Sequence, residues 1–109
     1  MWQDVVKRRF NAKRDAEIYD DDSFLNEVAH QFINVKEKIE ALYYPYYDED
    51  RKDRFHILRN KTYRFLMNRD FRKALRGMKG IKKMVNQFDL PALDYVIEML
   101  EYKLEREEW

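Results

Sequence analysis

The chain has 109 residues, 45% of them hydrophobic and 16% aromatic, with 39% charged and a net charge of +1. That is enough apolar material for one core and too much for a disordered tail, so a single domain over residues 1–109 is expected. The absence of Cys excludes disulfides, zinc ribbons and thiol nucleophiles, and only two Gly and two Pro leave few breaks, which favours long helices.

Helical periodicity runs through nearly the whole chain. Trp2, Val5, Val6, Phe10 and Ala16 predict a first helix over about residues 3–19, followed by Asp20-Asp21-Asp22 as a connection. Leu25, Val28, Phe32, Val35, Ile39 and Leu42 recur at spacings of 3 and 4 and predict a second helix over 23–44, capped by Asp22 or Ser23 and stopped at Tyr44-Pro45. Phe55, Leu58, Thr62, Phe65 and Leu66 share one stripe of a third helix over 49–67. The phase breaks at Asn68-Arg69-Asp70, where Asp70 can cap a fourth helix over 70–88 that buries Phe71, Ala74, Leu75, Met78, Ile81, Val85 and Phe88. Asp89-Leu90-Pro91 restarts the chain with a cap and a first-turn proline for a fifth helix over 91–108, whose stripe is Leu93, Val96, Ile97, Leu100 and Leu104. The expected fold is all-α, a compact antiparallel bundle of about five helices.

Charge is distributed very unevenly along these elements. Residues 51–83 carry thirteen Lys or Arg against Asp53 and Asp70, a local charge of +11, while residues 21–50 carry −6 and residues 84–109 carry −5. Such a concentration predicts a face for an anionic partner. On a wheel at ~100° per residue, Arg69, Arg72, Lys73, Arg76, Lys79 and Lys83 lie opposite the apolar stripe of the fourth helix, with Gly80 among them. Arg59 and Arg64 on the third helix are secondary candidates, and Tyr63 offers a ring for stacking. Regularly spaced Arg and Lys on a rigid helix suit phosphates, because each contact releases counterions and Arg binds bidentately. Gly80 would let a sugar-phosphate backbone approach closely. The alternative is internal pairing with the fifth helix, where Asp94, Glu98, Glu101, Glu105 and Glu108 form an acidic ridge. That ridge lies beside its apolar stripe and the basic one opposite, which favours an outward, unneutralised basic face.

Other features point to protein contacts. Tyr43-Tyr44-Pro45-Tyr46-Tyr47 sets four tyrosines around a turn. Tyr43 or Tyr44 is expected to plug the bundle end, whereas Tyr46, Tyr47 and the terminal Trp109 are interface candidates. The Leu25–Leu42 stripe would serve as a core face or as the seam of a homodimer.

Glu27-x-x-His30 and Asp53-x-x-His56 have the spacing of helical metal ligands. His30 points away from its core stripe, however, and no metal or other cofactor is expected. With no Cys, no phosphate loop and Ser23 as the one serine, no catalytic residue stands out and an enzyme is not expected. Asn60-Lys61-Thr62 matches a glycosylation sequon without a secretory context. No apolar run reaches membrane-spanning length, and the N-terminus lacks a signal-peptide core. The expectation is a soluble intracellular protein, cytoplasmic or nucleus- or nucleoid-associated. Its predicted partner is nucleic acid, DNA or RNA, bound through the backbone; the alternative is a protein module (an adaptor, inhibitor or assembly subunit) that meets an acidic protein surface.

Overall fold

Helix starts are set by four short polar side chains. In the computed structural model, which describes residues 11–85 and 89–107, Asn11, Asp20, Asp48 and Asp70 each accept a hydrogen bond from the backbone N–H three residues on, at 3.0, 2.7, 2.7 and 3.3 Å. These bonds satisfy amides that the first helical turn leaves without partners. The helices they open are α1 (Ala12–Ile18), α2 (Asp21–Leu42), α3 (Glu49–Met67) and α4 (Phe71–Met84). Pro91 opens α5 (Pro91–Glu107). The described residues form no strand, and the all-α bundle of five helices stands.

Several predicted boundaries move. The second helix begins at Asp21, with Asp20 as its cap in place of Asp22 or Ser23, and ends at Leu42. Tyr44–Tyr46 then form a short 3-10 turn, because Pro45 cannot continue an α-helix. The first helix is short, seven residues; Trp2, Val5, Val6 and Phe10 lie outside the described residues. The fourth helix stops at Met84, and Phe88 is likewise outside them.

Among the described residues, α5 is the helix on which most others pack. It lies against α1, α2 and α4, while α3 joins through α4 and α2. Accordingly α5 buries Leu93, Tyr95, Val96, Ile97, Met99 and Leu100, more of its circumference than one stripe would. α2 contributes Phe24, Val28, Phe32, Val35 and Ile39 to the same core. Phe24 takes the place predicted for Leu25, and Leu42, the last residue of α2, is exposed. The stripe offered as a dimer seam is thus largely used inside the monomer.

α1 is tied down by a polar contact that its sequence did not advertise. Asp15 is buried, and Tyr95 donates its hydroxyl proton to Asp15 Oδ2 at 2.5 Å. Arg14 Nη2 lies 3.2 Å from the other carboxylate oxygen. Removing the phenol leaves a buried carboxylate short of a donor, so Tyr95→Phe should cost about 1–3 kcal/mol in denaturant unfolding, whereas a surface change such as Tyr46→Phe should be nearly silent. Burial, then the Asp15 bond, pushes the Tyr95 hydroxyl well above its usual 10.0. The stability this represents is intact below pH 10 and falls as pH rises beyond it, because the unfolded phenol ionises first. Absorbance at 295 nm should show one tyrosine that ionises only with global unfolding, and Tyr95→Phe should remove that component.

The α3–α4 crossing is unusually close. A methyl on Gly77 would run into the Thr62 hydroxyl and lie 2.8 Å from Thr62 Cβ, and one on Gly80 would lie 3.2 Å from Leu58 Cδ2. Thr62 is fully buried there, and its hydroxyl has no hydrogen-bond partner among the described residues. Gly77→Ala should therefore destabilise by about 1–3 kcal/mol despite Ala's better helix propensity. Thr62→Ala should be nearly neutral alone and should relieve only part of the Gly77→Ala penalty, since its Cβ stays 2.8 Å from the new methyl; a thermal-melt double-mutant cycle measures the coupling.

Candidate anion-binding surface on α3 and α4

Between residues 54 and 88 the chain holds eleven Lys or Arg and one acid, Asp70. Cations on α3 beyond Arg54 and on α4 must find carboxylates on other helices or go without. α5 supplies two. Glu101 lies 3.6 Å from Lys79, and Asp94 accepts a hydrogen bond from Lys82 that raises the Lys82 pKa. Arg72 lines a depression on the same side with Glu98, Glu101 and Glu105. α2 supplies the others. Glu40 holds Arg59 at 2.7 Å, and Asp22 holds Arg69 at 2.6 Å.

The predicted ridge therefore divides. The expectation of one outward, unneutralised row is corrected at Arg69 and Lys79, which are paired, and at Arg72, which sits against the acidic ridge of α5. Lys73 stays 3.9 Å from Asp70, its own helix cap, with its ammonium 5.5 Å from the Phe65 ring centre. Lys61, Arg64, Arg76 and Lys83 are exposed, with no ion pair formed among the described residues. Wheel geometry accounts for the split: Arg72, Lys79 and Lys82 fall on the α5 side of α4, while Lys73 and Gly80 fall on the α3 side.

Gly80 does not offer the close approach to a sugar-phosphate backbone read from the sequence. It and Gly77 face α3 and admit Leu58 and Thr62 instead. A shallow groove of about 280 Å³ lies between α3 and α4, edged by Lys61, Lys73 and Arg76 and lined also by Phe65, Thr62 and Gly77.

The secondary candidates gather elsewhere. Arg59, Tyr63 and Arg64 line a larger groove of about 560 Å³ between α2 and α3. Its floor is Phe32, Ile33 and Met67, with Lys36 on the opposite wall. Tyr63 stacks on Phe32 with an interplanar angle of 17° and a centroid separation of 6.3 Å, yet remains 39% exposed. Ile33 and Met67 are similarly half-open, at 39% and 38%. Arg59 donates from Nε and Nη2 to Asn60 Oδ1 at 3.2 and 3.0 Å while gripping Glu40, so that wall is fixed. The sequence does not reveal this groove, because Ile33 and Met67 fall off the core stripes and come from separate helices.

The tyrosine turn also separates. Tyr46 is 85% exposed, whereas Tyr47 is buried beneath the Arg51 guanidinium and is corrected from interface candidate to core plug. Tyr44 packs edge-on against Phe55 and hydrogen-bonds through its hydroxyl to His56 Nε2. That contact occupies His56, while His30 is exposed, as its position on the wheel predicts. No group of three His, Asp or Glu side chains among the described residues could hold a metal ion. None of the helices searched is long and apolar enough to cross a membrane. Trp109 and Glu108 lie outside the described residues. Comparison of the chain with protein-family models, curated proteins and solved structures gave no match.

Arg69 provides a clean separation of stability from surface charge. Its φ is 60°, left-handed backbone that glycine adopts freely and a long side chain does not. The amides of Arg69 and Asp70 bond back to the carbonyls of Leu66 and Phe65 at 3.0 and 2.9 Å, closing α3 with a Schellman turn. Arg69→Gly should relieve that strain and lose one exposed ion pair of about 0–1 kcal/mol, leaving the midpoint of urea unfolding unchanged or higher.

Proposed function

We propose that the protein is a non-enzymatic binding protein that holds a polynucleotide by its phosphate backbone, across the α3–α4 surface. The observation that carries this reading is the selective pairing just described. Among the described residues, α2 and α5 neutralise Arg59, Arg69, Lys79 and Lys82, and leave Lys61, Arg64, Arg76 and Lys83 exposed without a carboxylate. Lys73 adds a fifth charge, beside the Asp70 cap of its own helix. Cations left clustered on adjoining helices repel one another, an arrangement that a phosphate chain relieves while releasing its counterions. The contacting set is therefore Lys61, Arg64, Lys73, Arg76 and Lys83, with Arg69, Arg72 and Lys79 at its margin.

A second reading, a protein-interaction module, is favoured by one observation: Ile33, Tyr63 and Met67 expose contiguous apolar surface beside Lys36 and Arg64. Tyr46 at the far turn would add an aromatic anchor.

Fluorescence anisotropy with DNA and RNA oligonucleotides over a salt series tests the first reading. Four or five phosphate contacts predict a slope of about −3 to −4 in log affinity against log salt. Arg64→Gln with Arg76→Gln should flatten it by about 1.5 units. Lys79→Gln with Lys82→Gln, whose charges already face carboxylates, should change it little. Absence of binding at about 50 mM salt would contradict the reading and leave the protein-interaction module.

A further inference from the structure

We propose that the α2–α3 groove is a nucleobase pocket, so that the polynucleotide bound is single-stranded; this rests on the backbone-binding reading above. The groove combines what an unpaired base needs. Its volume of about 560 Å³ lies within the range of small-molecule sites. One planar wall is Tyr63, whose ring is held parallel to Phe32 at 17° and so is oriented before any ligand arrives. Stacking on an aromatic ring accepts any base, because every base has a π-face. Ile33 and Met67 give the base an apolar floor.

Polar groups stand at the edges of this groove. Asn60 Oδ1 already accepts from Arg59, which leaves the Asn60 amide N–H groups to meet a base edge. Lys36 and Arg64 stand on opposite walls, and Lys36 lies only 3.9 Å from Glu40, whose stronger contact is to Arg59.

Continuity of charge decides the occupant. Arg64 follows Tyr63 directly and lines the groove, while Lys61 sits one helical turn earlier and edges the neighbouring α3–α4 groove. A chain whose base sits on Tyr63 carries its phosphates over Arg64 and on toward Lys61, Lys73 and Arg76. α3 thus has a stacking site on one flank and a phosphate path on the other. A duplex keeps its bases stacked and paired, and cannot put one on Tyr63 without paying to flip it out. An acidic amphipathic helix would use the apolar floor and the rim, but it would leave the cations beyond α3 unexplained.

The test uses the full chain and fluorescein-labelled oligonucleotides of mixed sequence, single-stranded and duplex, at one low salt concentration. The proposal expects the single strand to bind about 10-fold tighter or more, and Tyr63→Ala to erase most of that advantage, while Tyr63→Phe keeps it. A 2-aminopurine strand should be quenched by wild type and less by Tyr63→Ala. Circular dichroism of each variant separates lost stacking from lost folding, and Tyr63→Leu gives a second non-stacking variant that keeps apolar packing on Phe32.

Equal affinity for single strand and duplex, indifferent to Tyr63, overturns the base pocket and leaves backbone binding standing. No binding of either nucleic acid overturns both readings. If an amphipathic helical peptide of Leu and Glu then binds in a Tyr63-dependent way, the groove is a protein-docking site and the proposal fails.

Discussion

The shortage of carboxylates in the α3–α4 hairpin is the constraint on which the surface of this protein depends. Eleven cations share residues 54–88 with Asp70 alone, and Asp70 is committed to capping α4. Beyond Arg54, whose partner is Asp50 of the same helix, the hairpin is neutralised mainly from other helices. α5 reaches one flank of α4 through Asp94 and Glu101, and α2 reaches α3 and the α3–α4 turn through Glu40 and Asp22. Apart from the half-buried Arg59–Glu40 contact, these pairs are exposed and individually weak. Their consequence is positional, since they fix which cations are answered and which are left over.

Packing then decides how the leftover charges are spaced. Gly77 and Gly80 let α4 close on Thr62 and Leu58, drawing Lys61 of α3 toward Lys73 and Arg76 of α4 around one shallow groove. Larger residues at either glycine would separate the helices and the charges with them. α5 serves as the foundation: it holds α1, α2 and α4 at once and is itself anchored by the buried Tyr95–Asp15 bond. The polar spacing at the surface is thereby referred to a rigid interior.

Much of this was legible in the sequence, for physical reasons that can be named. Asp70 and Pro91 announced helix starts, because a short carboxylate side chain and a fixed φ favour those positions in any context. The stripes on α2 and α5 marked core faces, since burial repeats with the helical period. Pairwise facts stayed hidden. Whether Lys79 meets Glu101 or solvent depends on which flank of α4 turns toward α5, and a single helix wheel carries no such information. Gly80 read as room for a sugar-phosphate backbone, whereas α3 takes the space beside both Gly77 and Gly80. Nothing in the sequence marks Asp15 as buried, because its partner lies 80 positions away. The α2–α3 groove needs Ile33 and Met67 from separate helices, each unremarkable alone.

The central claim is that function resides where pairing stops, on the α3 side of the hairpin. Backbone amide chemical-shift mapping during titration with a short oligonucleotide addresses it most directly. The account predicts perturbations clustered at Ile33, Lys61, Tyr63, Arg64 and Arg76, with the α4–α5 seam at Lys79, Lys82, Asp94 and Glu101 left quiet. Perturbations that follow that seam, or none at saturating oligonucleotide, would contradict it.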